Sequence, residues 1–211
     1  MTLFSNYNLN EVLNKSLKNI NFTNPTPIQE KSIPLILQGK DILGSAQTGT
    51  GKTAAFCIPI LELLMKSPRG SLLIMIPTRE LAKQVLDVIN SLLGFKSSIN
   101  TATLIGGESM SKQLSELKKR PRIYVGTPGR INDHLQRGTL NLHDTKYLVL
   151  DETDRMLDMG FEVQINKIIK FLPVSKQVLM FSATIPNNIL KLSSKYLNDP
   201  VRISVGESNT V

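Results

Sequence analysis

From residue 41 to residue 205, short apolar runs alternate with stretches whose apolar residues recur every three to four positions. The runs predict strands at 41–45, 71–76, 100–105, 123–126, 147–150, 177–182 and 201–205. The periodic stretches predict helices near 53–65, 79–93, 109–119, 129–136, 162–171 and 187–197. A run such as Leu72-Leu73-Ile74-Met75-Ile76 has no polar face. That is the pattern of a strand covered on both sides, as in parallel sheets. Strand–helix alternation over this length predicts a doubly wound α/β domain with a mostly parallel sheet. Ahead of it, Leu9, Val12, Leu13, Leu17 and Ile20 fall at helical spacing. Asn8 followed by Glu11 has the spacing of a capping box and predicts the start of that helix. Asn24-Pro25-Thr26-Pro27 predicts a turn, because prolines fix φ and remove backbone donors.

In open α/β sheets ligands bind beyond the carboxyl ends of the strands. The loop after the first strand reads Ala46-Gln47-Thr48-Gly49-Thr50-Gly51-Lys52-Thr53 and leads into a helix. This is the spacing of a phosphate-binding loop, with Ala46 in place of the first glycine. Gly49 and Gly51 allow backbone N–H groups to converge on phosphate oxygens. The helix start adds its positive dipole end. Lys52 is placed to reach the β- and γ-phosphates, and the Thr53 hydroxyl to bind Mg²⁺.

Hydrolysis of a nucleoside triphosphate also requires a carboxylate for the metal and a group that orients water. The run 147–150 ends in Asp151 and Glu152. Asp151 is the candidate Mg²⁺ holder, partly through water. Glu152 is the candidate general base. Asp154 and Arg155 follow, and an acidic helix start is a reading of that pair compatible with a catalytic role.

Composition narrows the setting. The chain has 211 residues, 41% hydrophobic and 20% charged, which are globular values for one domain. A lone cysteine, Cys57, excludes an internal disulfide and predicts a reducing compartment. No apolar run reaches the ~18–20 residues of a membrane span, and the first residues lack a signal-peptide pattern. A cytoplasmic location is therefore expected. The net charge of +8 suits a polyanionic partner or a solvated lysine-rich surface, and charge alone does not separate the two. Cys57 reads as a small core residue, and His134 and His143 lack zinc-ligand spacing.

With these motifs in order, the chain resembles the first RecA-like domain of DEAD-box ATP-dependent RNA helicases, from Phe4 to about Gly206. Residues 21–29, Asn-Phe-Thr-Asn-Pro-Thr-Pro-Ile-Gln, are similar to the family's Q motif, with Asn21 where Gly is usual. The phosphate loop matches with its leading Ala. Pro77-Thr78-Arg79, Gly106-Gly107 and Thr127-Pro128-Gly129-Arg130 match RNA-contacting motifs. Asp151-Glu152-Thr153-Asp154 matches the name-giving motif, with Thr153 for Ala. Ser182-Ala183-Thr184 matches the motif tied to coupling hydrolysis with unwinding.

The resemblance implies a three-layer RecA-like P-loop fold that uses ATP and Mg²⁺. It assigns adenine recognition to Gln29, whose amide can pair bidentately with the base edge, with Phe4 stacking on the base. A core contact against the first helix is an equal reading of Phe4. It implies RNA held through its sugar-phosphate backbone by Pro77, Thr78, Arg79, Gly106, Gly107, Thr127, Pro128, Gly129 and Arg130, without base-edge readout. It implies coupling through Asp154, Ser182 and Thr184. Residues 1–206 are expected to be the first domain and 207–211 the start of a linker. A second RecA-like domain is expected to be missing from this chain. The isolated half is expected to be a monomer with little turnover. The alternative is a stand-alone nucleotide-gated RNA-binding module.

Overall fold

The computed structural model describes residues 3–94 and 97–205. Among these, seven strands form one sheet: β1 (Ile42–Ala46), β2 (Ser71–Met75), β3 (Thr101–Leu104), β4 (Ile123–Gly126), β5 (Thr145–Leu150), β6 (Gln177–Ser182) and β7 (Val201–Val205). Their order is β3-β4-β2-β5-β6-β1-β7. Every pairing is parallel, a more regular sheet than the mostly parallel one expected. The helices are α1 (Glu11–Asn19), α2 (Pro27–Leu37), α3 (Lys52–Lys66), α4 (Arg79–Leu93), α5 (Met110–Lys118), α6 (Pro128–Gln136), α7 (Thr153–Asp158), α8 (Glu162–Ile169) and α9 (Asn187–Tyr196).

Alternation of side chains along each strand builds two cores, because successive residues point to opposite faces. Ile42, Ile74, Val125, Val149, Leu179 and Phe181 pack with residues of α1 to α4 on one side. Leu43, Met75, Tyr124, Leu148, Leu150 and Met180 pack with α6 to α9 on the other. The result is the three-layer α/β architecture of a RecA-like domain. The apolar runs are buried throughout in β1 and β2, as strands covered on both faces must be. Asp41 ties the amino edge together. Its carboxylate accepts from the N–H groups of Val178 and Asn198 at 2.8 and 2.7 Å.

One helix, α2, is absent from the sequence reading, and a second, α7, enters it only as an acidic helix start at Asp154 and Arg155. The prolines at 25 and 27 do make the expected turn, but Pro27 is also the first residue of α2, where its missing N–H costs nothing. Pro34 inside α2 masks the helix in the sequence. The six-residue α7 is too short for its period to register. A third difference concerns α1. Its N-cap is Asn10, whose side chain accepts from the Val12 N–H at 2.9 Å. Asn8 instead adopts a left-handed conformation, φ 50°. The expected partner role of Glu11 is taken by a distant acid: the Asn10 N–H donates to Glu62 of α3 at 2.6 Å. Cys57 is fully buried, as a core residue should be. The expected linker, 207–211, lies outside the described residues. No described helix is long and apolar enough to cross a membrane.

Candidate nucleotide and RNA site

The strand order lays the motifs along one carboxyl edge. Gly106-Gly107 follows β3, Thr127–Arg130 follows β4 and Pro77–Arg79 follows β2. Asp151–Asp154 then follows β5, Ser182–Thr184 follows β6 and the phosphate loop follows β1. The predicted RNA loops thus occupy one half of the edge and the predicted ATP loops the other. The loop at 151–154 stands where the halves meet.

The phosphate loop is shaped by its glycines and braced from α2. Gly49 and Gly51 take φ of 86° and 91°, values that side chains other than glycine strongly resist. Gly51 is also the residue before α3, and a Cβ there would run into the Gln29 amide and Thr26. Gln29 is 2% exposed. Its Nε2 donates to the Gly51 carbonyl at 3.0 Å, and its Oε1 accepts from the Thr26 N–H at 2.9 Å. The Thr50 hydroxyl donates to the Gln47 carbonyl at 2.8 Å. Ala46, the last residue of β1, is buried, whereas Gln47, Thr48 and Gly49 are exposed at the mouth. Thr53 is partly exposed one residue into α3.

Lys52 is 6% exposed, and its ammonium has no hydrogen-bond partner among the described residues. Glu152 Oε1 lies 4.0 Å from it and accepts from the Thr48 hydroxyl at 3.4 Å. A buried ammonium lacking hydrogen bonds is costly, and an anion in the loop would satisfy it.

Asp151 is buried behind this lysine. Burial pushes its carboxyl up to about 6, against the pull of Lys52 and the Glu152 N–H, which donates to it at 2.9 Å. Burial also raises the Cys57 thiol, helped by the Asp151 charge. Glu152 caps α7 in a left-handed conformation, φ 52°, which turns its side chain toward Thr48 and Lys52. The strain of a non-glycine residue at such a φ concentrates at functional positions.

Thr153 is fully buried, and its hydroxyl lies 3.2 Å from the Leu150 carbonyl and 3.0 Å from that of Phe181. The substitution of Thr for the usual Ala therefore ties the ends of β5 and β6 together. The Asp154 carboxylate accepts from the Thr184 N–H and hydroxyl, and its own N–H donates to the Ser182 hydroxyl at 3.3 Å. Burial disfavours the Asp154 charge, but hydrogen bonds from Arg155, Thr184 and Ser182 outweigh it and hold the carboxyl below its usual range.

On the other half of the edge, Thr78 caps α4 by accepting from the Leu81 N–H at 3.3 Å. Arg79 lies exposed at the start of that helix. Its guanidinium occupies the space a Cβ on Gly107 would need, and Gly107 has φ 74°. Thr127 and Pro128 are buried at the start of α6 and Gly129 is exposed. Arg130 is 18% exposed, with a buried Nη1 that has no partner among the described residues. Pro77 is buried and Gly106 partly exposed.

Phe4 is 3% exposed and packs face to face with Phe22 at 6.1 Å and edge-on to Tyr7 at 6.2 Å. Phe4 shares a core cluster with Leu13 and Leu17 of α1, in line with the core reading, and stacking on a base would require Phe4–Tyr7 to rearrange. Asn21, where the family has Gly, adopts φ 58°, a conformation Asn tolerates better than most residues. The sequence reading passed over Gln113 and weighed His134 only as a zinc ligand; both are fully buried beside the predicted RNA loops. Their signal is a polar residue at an inward helical position.

Comparisons with known proteins identify the family. The DEAD/DEAH box helicase family model matches residues 26–192. The DEAD-box ATP-dependent RNA helicase RhpA of Helicobacter pylori is 45% identical over 206 residues, covering 98% of this chain and 42% of its own. The ATP-dependent RNA helicase CshA of Listeria monocytogenes is 46% identical over 206 residues, covering 97% and 39%. The crystal structure of a DEAD box protein from the hyperthermophile Methanococcus jannaschii superimposes with a TM-score of 0.92 at 43% identity, covering 98% of this chain and 56% of that one. The chain thus spans about two fifths of the length of the curated relatives it matches.

Proposed function

This chain belongs to the DEAD/DEAH box helicase family, and from that premise we propose that it is the ATP- and RNA-binding half of an ATP-dependent RNA helicase. The observation that carries the reading is the Lys52 ammonium, buried without a hydrogen bond at the mouth of a phosphate loop, with Glu152 4.0 Å away. A triphosphate supplies the missing partner. Mg²⁺ fits the same pocket, because the buried Asp151 carboxyl is held unusually basic and lacks a full counter-charge. Thr53 and Asp151 would hold the ion, which neutralises phosphate charge when bound.

The chain's own groups then divide the work. The N–H groups from Gln47 to Thr53 and Lys52 grip the phosphates. Glu152 accepts a proton from the attacking water. Gln29 reads adenine, which requires its amide to exchange the Thr26 and Gly51 contacts for the base edge. Arg79, Arg130 and the backbone at Gly106-Gly107 and Thr127–Gly129 take RNA phosphates, consistent with the unpartnered Arg130 Nη1. Asp154, Ser182 and Thr184 relay the state of one half to the other. A second RecA-like domain completes the cleft and supplies arginine fingers, worth ~10³–10⁵ in rate, so this half alone turns over slowly.

Titration calorimetry of the chain with Mg-ATP tests the pocket. The wild type is expected to bind and Lys52→Ala to lose at least ~100-fold in affinity while remaining folded, because the lysine contributes no hydrogen bond to the fold. No association at millimolar Mg-ATP with folded wild-type material would overturn the reading. RNA-stimulated ATPase of the full-length protein, compared with DNA stimulation, tests the partner.

A further inference from the structure

The Gly106-Gly107 loop and the Thr127–Arg130 segment are connected through the protein interior. Gln113 of α5 is fully buried. Its Nε2 donates to the Ile105 carbonyl at 2.9 Å and approaches the Glu108 carbonyl at 3.4 Å. These two residues bracket the glycine pair. With its nitrogen so committed, the Gln113 amide turns its oxygen to His134 Nε2, at 3.0 Å. An amide oxygen only accepts, so the imidazole carries its proton on Nε2. His134 is fully buried in α6, the helix that opens with Pro128, Gly129 and Arg130.

The far side of the ring is also fixed. His134 Nδ1 lies 2.8 Å from the Thr139 hydroxyl. Burial and the Arg130 charge hold the imidazole below its usual range, which favours the neutral ring; with the proton on Nε2, Nδ1 is the acceptor facing the Thr139 hydroxyl, which also lies 3.1 Å from the His134 carbonyl. Each polar atom of the Gln113 amide and the His134 ring thereby has a partner. A satisfied buried network fixes geometry far better than exposed pairs do. The other ties on this loop are of the weaker kind. Lys83 and Lys112 pair with Glu108 at 3.0 and 3.6 Å from exposed positions, and Arg79 lies over Gly107.

We propose that Gln113 and His134 are positioning residues that set the spacing between the Gly106-Gly107 backbone and the Arg130 segment, and that this spacing governs affinity for single-stranded RNA. The proposal rests on the reading that these two loops grip the sugar-phosphate backbone. Neither residue touches RNA; each acts by holding the segments in register, so that consecutive phosphates meet both at once.

Fluorescence anisotropy of a labelled twelve-nucleotide oligouridylate, titrated with the chain across a series of salt concentrations, tests this. Gln113→Leu and His134→Leu are expected to weaken RNA binding ~10-fold while leaving ATP affinity within ~2-fold. The slope of log affinity against log salt should fall by ~0.7 for each phosphate the variant no longer engages. His134→Gln, which restores a donor toward Gln113, is expected to recover most of the affinity. Thermal melts establish which variants fold. Should Gln113→Leu not fold, Thr139→Val, at the exposed end of the network, is expected to show a smaller loss of the same kind. Folded variants with unchanged affinity and unchanged salt slope would overturn the proposal and leave the RNA reading standing. Failure of the wild type to bind the oligonucleotide, with Mg-ATP binding intact, would overturn both.

Discussion

The Asp154 carboxylate accepts two hydrogen bonds from Thr184, one from its backbone N–H and one from its hydroxyl, each at 3.1 Å. Asp154 follows β5, beside the predicted RNA half of the edge, and Thr184 follows β6, beside the phosphate loop. The charge-assisted contact thus joins the ends of the two strands, which is the geometry the proposed coupling role requires.

Thr184→Val removes the hydroxyl and keeps the N–H. We predict a loss of about 1 kcal/mol in urea unfolding of this chain, at the low end for a bond to a charged group because the site is half exposed. The Asp154 carboxyl is held below its usual range. Its stabilisation is therefore present above the unfolded pKa and lost as pH falls through the lower folded one. The stability gap between wild type and variant should persist at pH 5 and narrow only under strongly acid conditions. With the proposed second domain joined to this chain, the same variant is expected to lower unwinding more than ATP binding, and equal losses of both would remove the proposed coupling role.

Asp151 has the opposite sign. Its carboxyl is pushed up to about 6, so the folded chain binds a proton more readily than the unfolded chain does. The charged form costs stability at neutral pH, and that cost is relieved as pH falls through about 6. Asp151→Asn removes the cost and keeps an oxygen for the Glu152 N–H. At pH 8 it should stabilise the nucleotide-free chain by about 2–3 kcal/mol, since each tenfold change in proton affinity is worth ~1.36 kcal/mol. It should also abolish Mg²⁺-dependent ATP binding. A melting temperature unchanged or lowered at pH 8 would mean that the buried charge is already compensated. In the wild type, Mg-ATP affinity should decline below pH 6 as the carboxyl takes up its proton.

Gln29 joins two demands in one amide. As a brace it holds the Gly51 carbonyl, and as the proposed adenine reader it would have to pair with the base. Gln29→Ala should lower affinity for both ATP and GTP because the brace is lost, with ATP falling ~10-fold further. Calorimetry with both nucleotides checks this, and equal falls would leave only the brace.

Thr153→Ala removes the hydroxyl between the Leu150 and Phe181 carbonyls, which lie 3.2 and 3.0 Å away. We predict a destabilisation of about 1 kcal/mol in equilibrium unfolding, the net worth of one buried hydrogen bond. ATP affinity should be unchanged, since the side chain faces away from the phosphate loop into the sheet. A neutral result would mean the hydroxyl is dispensable at this strand end.

What the amino-acid order determined by itself is local. Seven apolar runs became seven strands, because a strand covered on both faces must be apolar along its length. Gly49, Gly51 and Lys52 announce a phosphate loop because the chemistry needs those residue types at that spacing. Asn21, Arg79 and the Asp151–Asp154 run are equally legible. The tertiary structure decided everything that depends on strand order and on partners distant in the chain. Glu152 meets Lys52 and Thr48 only because β6 alone separates β1 from β5. Glu62 displaces Glu11 as the partner at the start of α1. Phe22 takes the face of Phe4, and Gln113 finds His134 across 21 residues. Periodicity reports which way a side chain points. It carries no record of what the folded chain places opposite.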